Sequence, residues 1–252
     1  MENSKINSGR DRFSAYFKPC SLGLKASVPI AVGYIPIAIT FGLVAKSSGI
    51  PDHIALLMSF IVFAGASQFV GVNLIALGTN PWEIILTTFI LNLRHFLMSA
   101  SLSIRIDPSV SSAWRCLMAF GVTDETFTVA SLQKDKILSP YFIVALNMLA
   151  FLAWNAGTWA GIFLASGLPA SLQASMGIAL YAMFIGLLVP ALKESRPILL
   201  VVLISIGINS ALSWMPLSAD LSAGWRIIFS TISAAFAAAI IFPAGTGRQE
   251  NE

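Results

Sequence analysis

An all-α polytopic integral membrane protein of about eight transmembrane helices, some broken or kinked, is the fold class this sequence predicts. Three observations carry that reading. Hydrophobic residues make up 56% of the 252-residue chain and charged residues only 11%, where soluble domains carry about 25% charged residues. Mean hydropathy is +0.80. Apolar runs near the ~20 residues needed to cross a bilayer recur along the whole chain.

The formal net charge of +3 is no nucleic-acid signal, because the basic residues fall in loops rather than on one face. Cys20 and Cys116 lie far apart and match no metal or redox spacing, so free thiols are expected, with no metal and no cofactor. Residues 1–25 are polar and basic and lack the short apolar core of a removable signal peptide. They read as a cytoplasmic tail, 26–242 as the transmembrane transporter domain, and 243–252 as a second cytoplasmic tail.

The spans read as Ala26–Ala45, Ile54–Gly78, Ile84–Leu102, Ala113–Leu132, Tyr141–Ala165, Ser175–Leu192, Pro197–Trp214 and Trp225–Phe242. The fourth is the most polar, so seven or nine bound the count. With the N-terminus inside, the cytoplasmic segments hold ten of the fifteen Lys and Arg residues. The outer segments hold Lys46, Arg105, Arg115 and Arg226. That asymmetry puts both termini in the cytoplasm.

In the first span, Pro36 leaves the Val32 carbonyl without its helical partner, so the helix is kinked or broken there. Freed backbone at membrane depth survives only against protein or a water-filled cavity, which makes Pro36 a substrate-lining candidate. The second span, long for a single crossing, holds Gly65-Ala66-Ser67-Gln68-Phe69, Gly71 and Asn73. Small residues let helices approach and the polar ones bond across them. A discontinuous or re-entrant segment near Gly65 is the alternative, with Ser67, Gln68, Phe69 and Asn73 as lining candidates.

The third span carries Asn92-Leu93-Arg94-His95, then Ser99. Arginine at bilayer depth costs several kcal/mol unless it faces protein or water, so the default reading of such a group is functional. The fourth span carries Thr123-Asp124-Glu125, two acids equally in need of partners. Arg94 stands eight residues from Leu102 and Asp124 eleven from Ala113, a depth difference of roughly 4–5 Å. Arg94 therefore pairs with Asp124 or with Glu125. The remaining acid is a candidate proton carrier. Asn92, His95 and Ser99 share a helix face, with His95 either a structural histidine or a relay. The same charges suit an amino-acid zwitterion, with Phe63, Phe69 and Phe96 beside its side chain. The last span has a small-residue face of Ser230, Ser233, Ala234, Ala237 and Ala238, suited to packing another helix.

Five pieces together resemble the AzlC family, the large subunit of two-component branched-chain amino-acid exporters. They are Gly33-Tyr34-Ile35-Pro36-Ile37-Ala38 with Phe41-Gly42; Phe63-Ala64-Gly65-Ala66-Ser67-Gln68-Phe69; Asn92-Leu93-Arg94-His95; Thr123-Asp124-Glu125; and Phe184-Ile185-Gly186-Leu187-Leu188-Val189-Pro190. Met98 stands where a tyrosine is common. The resemblance implies a secondary exporter of leucine, isoleucine and valine, with methionine as an outer candidate. It further implies coupling to the proton gradient, the bacterial inner membrane, and a small AzlD-like membrane subunit as partner, for which the small face of the last span is a docking guess. The alternative is the permease of an ATP-driven transporter, although the chain has no phosphate-cradling Gly-rich loop. Gly65-Ala66-Ser67 with His95 loosely resembles a serine–histidine enzyme, but Gln68 replaces the glycine expected there. The reading is of a transporter rather than an enzyme.

Overall fold

The computed structural model describes residues 2–165, 167, 169, 185, 188, 189, 192, 193, 195–214 and 221–242. Among these residues the regular structure is helical throughout: α1 (Glu2–Ser47), α2 (Asp52–Ile61), α3 (Gly65–Ala76), α4 (Pro81–Ser103), α5 (Ser112–Phe120), α6 (Asp124–Ser131), α7 (Pro140–Ala165), α8 (Arg196–Trp214) and α9 (Ala223–Ile241). Five of them are long and apolar enough to cross a membrane: α1 from Phe17, α4, α7, α8 and α9. The sixth predicted span, and with it most of Phe184–Pro190, lies outside the described residues.

The chain forms two compact units. One comprises Met1–Phe69 with Asn92–Met176, the other Val70–Leu91 with Gly177–Glu252. The first is built on α1 and α7. The Ser27 hydroxyl donates to the Leu146 carbonyl at 2.7 Å. Further along both helices, Gly157 meets Ile35 and Ala38, and Gly161 meets Ile39. Contacts that advance together on both chains mean that the two helices run parallel, and glycine lets their backbones touch. Pro36 does not break α1, which is helical on both sides of it. Four residues on, the Thr40 hydroxyl donates back to the Pro36 carbonyl at 3.0 Å.

The second and fourth predicted spans are not crossings. Each is a pair of half-helices: 10 and 12 residues in α2 and α3, 9 and 8 in α5 and α6. At ~1.5 Å per residue none approaches the ~30 Å hydrocarbon core. Each pair also turns back on itself, the first as far as Phe69 within this unit. In the first pair, Asp52 is held by Lys46 at 2.9 Å near the C-terminal end of α1. Phe63 at the turn lies edge-on to Tyr34, halfway back along α1, and Phe69 then lies edge-on to Phe41.

The second pair enters from the opposite end. Trp114 packs on Tyr141 at the start of α7, and at the turn Asn147 Nδ2 donates to the Met118 carbonyl at 2.9 Å. After α6, the Arg105 guanidinium gathers the carbonyls of Ala130, Ser131, Gln133 and Asp135. Arg105 stands just past the end of α4, so the segments before and after α5–α6 share one end of the unit. This overturns the predicted placing of Arg105 and Arg115 on the side opposite Lys134 and Lys136.

In the second unit, α8 packs on α9. Glu83, 6% exposed, accepts from the Trp225 N–H at 2.9 Å and from the Ser222 hydroxyl, filling the N-terminus of α9 with a carboxylate. Ser230 and Ala234 on the small face of α9 are already buried, which narrows the guessed docking face.

Candidate functional site

The two hairpins turn at Val62–Ala64 and at Gly121–Thr123, and both turns come to Tyr34, 6% exposed in the middle of α1. The Tyr34 ring stands 6.3 Å from Phe63 and 5.5 Å from Trp154 of α7, edge-on to each. Its hydroxyl donates to Glu125 Oε2 and lies 2.7 Å from the Thr123 hydroxyl. Phe151 of α7 completes the join, with Phe63 and Phe60 of one hairpin at 5.2 and 5.6 Å and Phe120 of the other at 5.8 Å.

The break in the fourth span explains the paired acids. Thr123 caps α6, its N–H bonded to Thr126 Oγ1 at 2.8 Å and its own oxygen facing the Thr126 N–H. Asp124 and Glu125 are then the first residues of a helix that starts at depth, where free N–H groups and the helix dipole favour negative charge. Arg94, from α4, reaches Asp124 Oδ2 at 2.6 Å. This is the first of the two pairings the sequence left open, and it leaves Glu125 to Tyr34.

The pair reaches depth by a different route from the one reasoned, because Asp124 sits at a hairpin turn rather than partway along a crossing helix. Its side chains are 41% and 50% exposed. An ion pair so exposed at the depth of a hairpin turn has no stable place against lipid, so it faces water or a protein neighbour.

The other expected site residues are spread around this centre. Asn92 is half-buried, and neither its Oδ1 nor the Nε of Arg94 has a partner among the described residues. His95 is half-buried on the next turn. Ser99 lines an apolar cavity of about 310 Å³ with Phe96, Leu102, Met118 and Val122. The Ser67 hydroxyl donates to the Ala64 carbonyl at 2.9 Å. Gln68 Nε2 donates to Ser59 at 3.0 Å, which in turn meets Thr158 at 2.8 Å. Phe69 is fully enclosed against Phe41, Pro36 is exposed on α1, and Asn73 is exposed on the far half of α3.

Sequence reasoning missed Tyr34 and Trp154 as site residues. Tyr34 had a visible signal, a hydroxyl two residues before Pro36 in an apolar helix. Trp154 had only its amphipathic ring. A second apolar cavity, about 200 Å³, lies between the hairpins and is lined by Phe60, Leu117, Phe120, Gly121, Val144, Asn147, Met148 and Phe151. Among the described residues no cluster of His, Cys, Asp and Glu is arranged to hold a metal.

The sequence profile of the AzlC protein family matches residues 29–168, which contain both hairpins and the ion pair. The chain belongs to the AzlC family. It is 34% identical over 181 residues to the inner membrane protein YgaZ of Escherichia coli strain K12, covering 69% of this chain and 74% of that one. A membrane protein of Archaeoglobus fulgidus is 33% identical over 178 residues, covering 68% and 75%. The branched-chain amino acid transport protein AzlC of Bacillus subtilis strain 168 is 25% identical over 162 residues, covering 62% and 63%. No solved structure matches the chain. As a member of this family, the protein is a membrane transporter.

Proposed function

We propose that this transporter exports leucine, isoleucine and valine, with methionine as an outer candidate, across a bacterial cytoplasmic membrane. Proton entry through Glu125 drives it, and a small AzlD-like subunit completes it. The observation that carries the reading is the meeting of two half-crossing hairpins at one tyrosine, beside an arginine–aspartate pair and a carboxylate that has no cation of its own among the described residues. Irregular backbone at membrane depth belongs where it lines a substrate path. The B. subtilis relative supplies the substrate class, and the uncharged cavity of about 200 Å³ between the hairpins suits an aliphatic side chain. Asn92, His95 and Ser99 extend a polar face of α4 away from this centre.

Orientation follows from charge. Lys18, Lys25, Arg105, Arg115, Lys134 and Lys136 gather toward one end of the first unit and Lys46 toward the other. Basic loops face the cytoplasm, so the N-terminal tail and the α5–α6 hairpin open inward while α2–α3 opens outward. Segments 1–25 and 243–252 are cytoplasmic tails in this reading.

Efflux of labelled valine, leucine, methionine and lysine from loaded cells tests it, with and without the small subunit. Branched-chain efflux should require both proteins and stop when an ionophore collapses the proton gradient at constant ATP. Efflux that persists under the ionophore and follows ATP contradicts it.

A further inference from the structure

At the basic end of the first unit, a cavity of about 610 Å³ opens between α1, the segment 133–138 and the start of α7. Lys18, Leu22 and Lys25 line it from one face of α1, at i, i+4 and i+7. Neither lysine has an ion-pair or hydrogen-bond partner among the described residues. The rest of the lining is mainly apolar. Leu138 and Phe142 are buried, while Leu22 and Ile137 stay 51% and 53% exposed. Asp135 also lines the cavity and offsets one lysine, which leaves the lining net positive.

The walls are held by backbone contacts. Arg105 closes on the carbonyls of Gln133, at 2.7 Å, and of Asp135, and the Leu138 N–H donates to the Arg105 carbonyl at 2.8 Å. On the inner side Gly23 brings α1 against α7, where a Cβ would overlap the Phe142 carbonyl. The cavity is therefore a feature of the packed unit.

Its depth follows from α1. Lys46, paired with Asp52, marks the far end of that crossing. Lys25 stands 21 residues from Lys46 and Lys18 stands 28 from it, or ~32 Å and ~42 Å at ~1.5 Å per residue. The hydrocarbon core is ~30 Å thick, and the headgroup layers bring the total to ~40–45 Å. Lys25 thus reaches the headgroup layer and Lys18 its outer edge. Two unpaired cations there, above exposed leucine and isoleucine side chains, match the two ends of a lipid rather than a dissolved ion. A phosphodiester suits the lysines, and an acyl chain covers the apolar lining. Asp135 disfavours a doubly charged free phosphate and can accept from a headgroup hydroxyl.

We propose that this cavity binds one anionic glycerophospholipid, with its phosphate between Lys18 and Lys25 and an acyl chain along Leu22, Ile137 and Phe142. The transported substrate has no part in this binding.

Native mass spectrometry of the full chain, purified in neutral detergent, tests it. The probes are phosphatidylglycerol and phosphatidylcholine with the same acyl chains, and inorganic phosphate. Wild type should retain one phosphatidylglycerol in preference to phosphatidylcholine by about thirtyfold, a little over fivefold for each lysine beside the phosphate. Lys18→Gln combined with Lys25→Gln should abolish that preference. Lys134→Gln combined with Lys136→Gln removes as much charge outside the lining and should keep it. All four lysines are exposed, so neither pair of changes removes packing. Leu22→Ser should weaken both lipids alike. No preference in wild type, an unchanged preference without Lys18 and Lys25, or an equal loss without Lys134 and Lys136 overturns the site. Displacement of the lipid by inorganic phosphate, or no effect of Leu22→Ser, overturns the lipid as its occupant.

Discussion

The two hairpins solve the same physical problem in opposite ways. Both stop a helix halfway through the bilayer and start another, exposing backbone N–H groups where no solvent is assured. The α5–α6 hairpin supplies its own answer, a threonine cap and two carboxylates, and then needs Arg94 and Tyr34 to hold those carboxylates in place. The α2–α3 hairpin supplies none, turning through Phe63 at a φ of 41° into a bare glycine–alanine–serine turn. Left-handed backbone at a bulky residue costs on the order of 1–3 kcal/mol and persists only where the surroundings enforce it, here the rings of Tyr34 and Phe151. One hairpin carries fixed charge at its turn, and the other carries none.

Substitutions in the charged hairpin and at its partner Arg94 should have the largest effects. Arg94→Ala leaves Asp124 without its cation and should abolish transport and lower the yield of folded protein. Adding Asp124→Asn should restore the yield but not transport. Additive losses in the double-mutant cycle would show that the two are not coupled. Glu125→Gln should abolish gradient-driven efflux while sparing exchange of external for internal valine, measured as counterflow. Loss of both modes alike would remove the proton role.

Tyr34→Phe severs the hydroxyl bond to Glu125 while keeping the ring between the hairpins. It should slow driven efflux by about tenfold, the weight of one hydrogen bond to a charged group, and leave counterflow near normal. The smallest effect expected is that of Thr123→Ala, which removes the α6 cap at a cost of about 1 kcal/mol, seen as a lower melting temperature with rescue by Thr123→Ser.

The membrane class, the crossings α1, α4, α7, α8 and α9, and the pairing of Arg94 with an acid were all legible from composition and from the cost of burying charge. The hairpins were legible only in part. Gly65 hinted at a discontinuous second span, but a run of about 20 apolar residues looks alike whether it crosses once or turns back at its centre. What distinguishes the two cases is tertiary: Arg105 closing on the carbonyls of residues 130–135, and Phe63 and Phe69 tracking back along α1. No local pattern announces those contacts. The acids at 124 and 125 were the one local clue to the second break, since adjacent carboxylates in an apolar run fit a helix start far better than a helix middle. At Pro36 the break is excluded, because α1 continues as helix on both sides of it.

Everything here depends on α5–α6 returning to the membrane face it leaves, and side-specific labelling addresses that directly. In a background with Cys20 and Cys116 replaced by serine, single cysteines at Ser109, before α5, and at Lys136, after α6, would be treated with a membrane-impermeant maleimide in intact cells and in inside-out vesicles. Both positions should label only in the inside-out vesicles. Labelling of Ser109→Cys from outside the cell and Lys136→Cys from inside would mean that the segment crosses the bilayer, contradicting the hairpin and the site built on it.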